Sequence, residues 1–170
     1  MPSRRGVDLT AFQGRIHENV ARLGFQSVDA IRADASQKFP SPLAVSYDRI
    51  LVDAPCSGLG TLRSHPEIKW HRGESDIRRL CALQTKILQQ VATRLKPGGI
   101  LVYSTCTLTA DENEQVVENF LQLHEQFELE DAARYLPEQA KHMVRGKFFQ
   151  ALPHRDNTDG FFAARMRKVS

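Results

Sequence analysis

Two short apolar runs, Tyr47-Asp48-Arg49-Ile50-Leu51-Val52 and Ile100-Leu101-Val102-Tyr103, interrupt a chain whose other apolar positions mostly recur at helical spacing. Runs of that length, bounded by turn residues, predict buried strands. Between them Ile77, Leu80, Ile87, Leu88, Val91 and Leu95 fall on one helical face, with Gln84 in the same stripe. Ser75 precedes that helix as a cap, and Lys96-Pro97-Gly98-Gly99 follows as a stop. Nearer the start, Val7-Asp8-Leu9 reads as the end of a strand. Thr10 then caps a helix carrying Phe12, Ile16, Val20 and Leu23 and halted by Gly24. Val28 to Ala33 predicts a further strand ending at Asp34, and Phe39-Pro40-Ser41-Pro42 a loop. Beyond the second apolar run, Thr109 to Glu112 has the spacing of a capping box for a helix with Val116, Val117, Phe120 and Leu121 inside. Phe127–Leu129 and Phe161–Met166 read as closing strands, with a basic loop (Lys141, His142, Arg145, Lys147) between them. The alternation predicts an α/β sheet of the doubly wound kind, in a single domain spanning residues 1–170.

Composition narrows the class. A charged fraction of 25% and an apolar fraction of 41% are those of a globular chain. A net charge of +3 permits contact with nucleic acid without diagnosing it. No apolar run approaches membrane-spanning length, and Met1-Pro2-Ser3-Arg4-Arg5 leads into no signal-type segment, so no membrane partner and a cytoplasmic location are expected. Cys56, Cys81 and Cys106 are an odd set, with no C-x-x-C and no zinc-ligand spacing, which predicts reduced thiols and no metal.

The chemistry concentrates at the ends of the two apolar runs. The first passes into Asp53-Ala54-Pro55-Cys56-Ser57-Gly58-Leu59-Gly60, the second into Ser104-Thr105-Cys106-Thr107. Carboxyl ends of strands in an open α/β sheet are where ligands collect. If the two strands are parallel neighbours, about 4.8 Å apart, both thiols face one crevice. Cysteine is also a common core residue, and position alone leaves the two readings level.

Three stretches tip the balance. "DAPCSGLGTLRSHPEIKW", "LKPGGILVYSTCTLTADENEQVVENFL" and "LPHRDNTDGFFAARMRK" resemble the RNA (cytosine-5) methyltransferases of the NOL/NOP/Sun family, and most of all the bacterial Sun/Fmu type that acts on small-subunit ribosomal RNA. The resemblance implies a Rossmann-like class I methyltransferase sheet, S-adenosylmethionine as cofactor and RNA as partner, ribosomal RNA first. It implies Cys106 as the nucleophile that adds to C6 of cytosine, making C5 able to attack a methyl group. Cys56 is implied as the thiol that resolves the adduct, and Asp53 as the acid at the ring edge. Asp8 and Asp34 take the positions of the family's cofactor carboxylates, with Asp53 beside them, although a carboxylate at a helix start also explains Asp8.

A base must be unpaired or flipped to be reached. Gly58 and Gly60 suit close approach to it. Arg63, His65, Lys69, Arg72, Arg78 and Arg79 form a basic neighbourhood, and Trp70 offers a stacking face. A solvated helix face, with Trp70 anchoring the loop to the core, is the competing account for Arg78, Arg79 and Trp70.

Family members carry an earlier strand and a glycine-rich loop that nothing in Met1 to Gly6 resembles. The chain is therefore expected to be an N-terminally incomplete catalytic domain, with Ile50, Leu51 and Val52 on an unpaired edge. Two rival functions remain: a non-catalytic RNA-binding protein, and a methyltransferase acting on an exocyclic amine. The second uses an Asn/Asp-Pro-Pro-aromatic turn and needs no thiol.

Overall fold

In a computed structural model, residues 9–25, 28, 31–40 and 43–170 are described. They form two compact units that divide after Asp34. In the first, Leu9–Arg22 is helix α1. Gly24, at φ 72°, ends it, and Phe25 N–H closes back on Val20 O at 3.1 Å. Thr10 thus lies inside the helix instead of capping it. The strand end expected at residues 7–8 falls outside the described residues. The strand expected over 28–33 is absent at Val28 and at 31–33, and Val28 and Ile31 are exposed. An extended segment without a neighbour has no ladder to satisfy its backbone groups, and among the described residues of this unit there is no second strand.

The second unit is built on strands β1 (Tyr47–Asp53), β2 (Leu95–Thr105), β3 (Phe127–Glu130), β4 (Val144–Arg145), β5 (Phe148–Ala151) and β6 (Phe161–Lys168). Its helices are α2 (Ile68–His71), α3 (Glu74–Ala92), α4 (Glu114–Leu123) and α5 (Pro153–Asp156). The sheet runs β1-β2-β6-β5-β4, with β3 also on β6. β1 and β2 are parallel, and every other pairing is antiparallel. Both apolar runs are strands, as expected, and they are parallel neighbours, the condition under which both thiols face one crevice.

The differences have local causes. Lys96-Pro97-Gly98-Gly99 is a bulge inside β2, where the register jumps from Tyr47↔Leu95 to Arg49↔Ile100. Gly98, at φ 76°, makes the detour possible. The helix after Gly73 starts one residue before Ser75, and Asp76 reaches back to accept the Gly73 N–H at 3.2 Å. The basic stretch expected as a loop contains β4 and β5, joined at Gly146 with φ 59°. Phe148 there meets Phe162 at 5.2 Å between ring centres.

One sheet face carries the core. Val52, Leu101, Tyr103, Phe162, Ala164 and Met166 project from it and are covered by Ile87, Leu88 and Val91 of α3 and by Val116, Val117 and Phe120 of α4. Phe120 also packs edge-on against Phe127, 5.1 Å between centres. The opposite face places Arg165 and Arg167 around Glu130, both at 2.7 Å. Along β1 the alternation is plain. Val52 is buried and Ile50 packs against the core, while Leu51 is 69% exposed. So only one of the three apolar residues expected on an open edge is exposed. Among the described residues, β1 pairs with β2 alone.

After β1 the chain is fastened to the start of β6. Gly60 N–H donates to Cys106 O at 2.9 Å, and Gly160 N–H donates to Gly60 O at 2.8 Å. A Cβ on Gly60 would strike the Gly160 carbonyl oxygen and come within 2.7 Å of Cys106 O. Neither backbone can swing aside like a side chain. Gly60→Ala is therefore expected to destabilise the fold by about 2–3 kcal/mol, the upper range for overpacking, as read from denaturant unfolding.

Candidate active site

The register of the two parallel strands sets the site. Asp53 pairs with Ser104, Ala54 N–H donates to Ser104 O at 2.8 Å, and Ser104 Oγ donates to Asp53 Oδ1 at 3.1 Å. Each strand then turns into its cysteine. The sulfurs of Cys56 and Cys106 stand 3.3 Å apart, hydrogen-bonded and unbridged. The Cys106 N–H also donates to Cys56 Sγ at 3.3 Å.

A hydrogen bond between two thiols favours one charge on the pair and resists a second. Cys106 is lowered to about 7, chiefly by the bond from Cys56, against partial burial and the negative charges of Asp53 and Glu112. Cys56 is raised, first by that same bond and then by burial. The Cys106 N–H on Cys56 works in the other direction and is outweighed. Cys81 is also raised, mainly by burial; its thiol donates to Asp111 O at 3.3 Å. The site therefore holds one thiol poised to ionise near neutrality, one held protonated, and a carboxylate beside them.

Below the cysteines the packing is polar. Glu112 is fully buried. It accepts from Ser57 N–H at 2.8 Å, Ser57 Oγ at 2.5 Å, Gln84 Nε2 at 3.0 Å and Thr109 Oγ1 at 3.0 Å. Ser57 Oγ also lies 2.7 Å from Thr107 Oγ1. Gln84 donates a second time, to Pro55 O at 3.0 Å. Asn113 accepts from Thr105 Oγ1 at 2.6 Å and donates to Thr107 O at 3.1 Å. The buried Tyr103 hydroxyl donates to Glu112 O at 2.7 Å, and burial pushes its pKa up. The expected capping box is thus overturned: Glu112 turns inward to Ser57, and α4 starts at Glu114 with no side-chain cap. The network joins residues distant in sequence, so local pattern does not predict it. Its one trace was Gln84, an amide sitting in an apolar helical stripe.

The remaining expectations divide. Gly58 adopts φ 75° and packs near Ile68, while Gly60 is buried against the backbones of Gly160 and Cys106. The space at Gly60 is filled by protein, so it is not a place where a base approaches. Arg72 Nε donates to Ser57 O at 3.2 Å, tying the basic segment to the first cysteine turn. Arg63 donates to Asn157 Oδ1 at 3.0 Å, in the turn before β6. Lys69 sits 5.5 Å from the Trp70 ring centre. Trp70 is 79% exposed, so it does not anchor the loop to the core. Arg78 and Arg79 pair with Glu74 and Asp76 on the surface of α3, the solvated-face account. Asp53 is exposed at the end of β1. Asp34 is exposed in the other unit, and Asp8 falls outside the described residues. No group of three metal-ligating side chains occurs among the described residues, and none of their helices is long and apolar enough to cross a membrane.

Comparison with known proteins bears on this geometry. The family described as 16S rRNA methyltransferase RsmB/F matches residues 11–167. The chain is 46% identical over 161 residues to ribosomal RNA small subunit methyltransferase B of Pasteurella multocida, covering 91% of this chain and 34% of that one. It is 42% identical over 154 residues to the probable enzyme of the same name in Bacillus subtilis, covering 90% and 34%. Among solved structures, NSun6 from Pyrococcus horikoshii with SFG, an S-adenosylmethionine analogue, superposes with a TM-score of 0.74 at 32% identity, over 92% of this chain and 38% of that one. The chain spans about a third of the length of the curated relatives it matches. With its thiol pair on a mixed α/β sheet of six strands, and a family match running over nearly its whole length, the chain belongs to the RsmB/F family of 16S rRNA methyltransferases.

Proposed function

We propose that the chain carries the catalytic thiols of an S-adenosylmethionine-dependent RNA methyltransferase that modifies C5 of cytosine, with small-subunit ribosomal RNA as substrate. The observation that carries this reading is the pair of free sulfurs 3.3 Å apart beyond two parallel strand ends. C5 of cytosine is a weak nucleophile. Cys106, ionising near neutrality, adds its thiolate to C6, and the displaced ring electrons make C5 nucleophilic. Asp53, at the ring edge, hydrogen-bonds or delivers a proton to N3/N4, so that the negative charge developing during attack is neutralised. Once C5 carries its new methyl group, a solvent water acting as base takes the C5 proton. The electron pair then restores the ring, breaking the S–C6 bond and releasing the Cys106 thiolate. Cys56 stands at hydrogen-bond distance from the departing sulfur and assists that release.

The cofactor supplies an electrophilic methyl group when bound. Exposed carboxylates suit its amine and hydroxyl donors, and Asp53, held by Ser104 through one oxygen, meets that requirement among the described residues. Arg63, Lys69, Arg72 and exposed Trp70 supply charge and a stacking surface for the RNA strand. The rival reading, an RNA-binding chain without turnover, draws support from the edge of β1 that no strand covers among the described residues. Equilibrium dialysis with S-adenosylmethionine separates the two: saturable binding favours methyl transfer by this chain, and its absence favours the rival.

Three outcomes are expected. Iodoacetamide should label Cys106 first, with a rate rising through pH of about 7, whereas an ordinary thiol rises through about 8.5; deprotonation drives the reaction, so the rate grows with pH. RNA containing 5-fluorocytosine, incubated with S-adenosylmethionine, should give a denaturation-resistant adduct, because fluorine at C5 cannot leave as a proton does. Cys106→Ser should abolish the adduct, and Cys56→Ser should accumulate one with ordinary cytosine. An adduct that survives Cys106→Ser overturns the assignment. Trp70→Ala should weaken single-stranded RNA binding by about 1–3 kcal/mol in a titration and leave the melting temperature in place, since the ring is mostly in solvent.

A further inference from the structure

The residue that follows Cys56 is Ser57, and the residue that follows Cys106 is Thr107; their hydroxyls are 2.7 Å apart and both fully or almost fully buried. Ser57 Oγ gives its single proton to Glu112 Oε2 at 2.5 Å. It must then accept from Thr107, which fixes the direction of the chain of protons: Thr107 to Ser57 to Glu112. Glu112 holds the lower end with four donors, one for each acceptor position of a carboxylate, and no Lys, Arg or His touches it among the described residues. A buried acid without a cation calls for an explanation. α3 contributes through Gln84, which binds Glu112 and the carbonyl of Pro55, the residue before Cys56.

We propose that Glu112 is a positioning residue for the thiol pair: its carboxylate clamps the Ser57 and Thr107 turns together, and so holds the two sulfurs at hydrogen-bond distance. It touches no reacting atom. The role rests on the thiol chemistry proposed above, but its test uses neither RNA nor cofactor, so the clamp and the methyl transfer can fail independently.

Two effects of Glu112 on Cys106 have opposite signs, which makes the proposal testable. Its negative charge disfavours the Cys106 thiolate, while the contact it enforces with Cys56 favours that thiolate. Removing the side chain removes both. The measurement is the pH dependence of iodoacetamide labelling at Cys106, read by peptide mass, on the purified chain and on variants whose circular dichroism matches it. If Glu112 is the clamp, Glu112→Ala lets the turns part, and the midpoint climbs from near 7 to above about 8, towards that of an ordinary thiol. At pH 7 that is an about fivefold slower reaction. Glu112→Gln should restore a midpoint at or below that of the original chain. Its amide can donate to the Ser57 and Thr109 hydroxyls, whose protons rotate to suit, so the turns stay joined and the charge is gone. A folded Glu112→Ala with an unchanged or lowered midpoint overturns the clamp and leaves only the charge. If Glu112→Ala does not fold, Ser57→Ala decides: it keeps the backbone bond to Glu112 and deletes the hydroxyl bridge. A raised midpoint there supports the clamp, and an unmoved one overturns it.

Discussion

The parallel pairing of β1 with β2, in the register that sets Asp53 against Ser104, is the constraint on which the site depends. A slip of one residue would carry Cys56 about 3.3 Å along the sheet and turn Asp53 to the opposite face. Hydrophobic alternation alone defends such a register weakly on an edge strand, and here polar bonds reinforce it. Ala54 N–H donates to Ser104 O, Ser104 Oγ donates to Asp53, and Gly60 N–H donates to the carbonyl of Cys106. The bulge at Lys96–Gly99 absorbs the mismatch at the other end of the pair, far from the thiols. Irregularity is thus kept at the amino end of the strands and order at the carboxyl end.

Two kinds of interior meet in this unit. Between sheet and helices the core is apolar, with Leu88, Leu101, Val117, Phe162 and Met166 wholly enclosed. Under the cysteines it changes to Ser57, Gln84, Thr107, Glu112 and Asn113, equally enclosed. Apolar packing is strong and indifferent to direction, whereas a saturated hydrogen-bond network fixes angles. A site that must hold two sulfurs at a set separation needs the second kind of material. The same network couples α3 and the turn before α4 to both strand ends, so the site is not an ornament on loops.

The readable parts of the fold were those written in local pattern. Ile50–Val52 and Ile100–Tyr103 announced buried strands, the stripe from Ile77 to Val91 announced α3, and Val116 to Leu121 announced α4. Cys56 and Cys106 could be placed at strand ends, and their meeting was legible once the strands were taken as neighbours. What stayed hidden depends on partners distant in sequence. Thr109 and Glu112 have the spacing of a capping box, and nothing nearby says that Glu112 prefers Ser57. The tight glycine at position 60 looked like room for a ligand because Gly160 was out of sight. β4 and β5 are too short for a period to show, and the expected strand near Val28 has no neighbour to pair with among the described residues.

The contact between Gly60 and Gly160 also has a meaning in time. Ribosomes build the chain from its amino end, and β6 is the strand that joins β2 to β5 and β3. Until residues 160–168 have emerged, the turn after Cys56 lacks its fastening to Gly160, and β2 lacks the neighbour on its second edge. Contacts of such sequence separation form late, after loop-closure entropy has been met. The nascent polypeptide therefore holds the turn after Cys56 without its bond to Gly160 until that strand arrives. The arrival of β6 therefore joins β2 to β5 and β3 and locks the first cysteine turn in a single event.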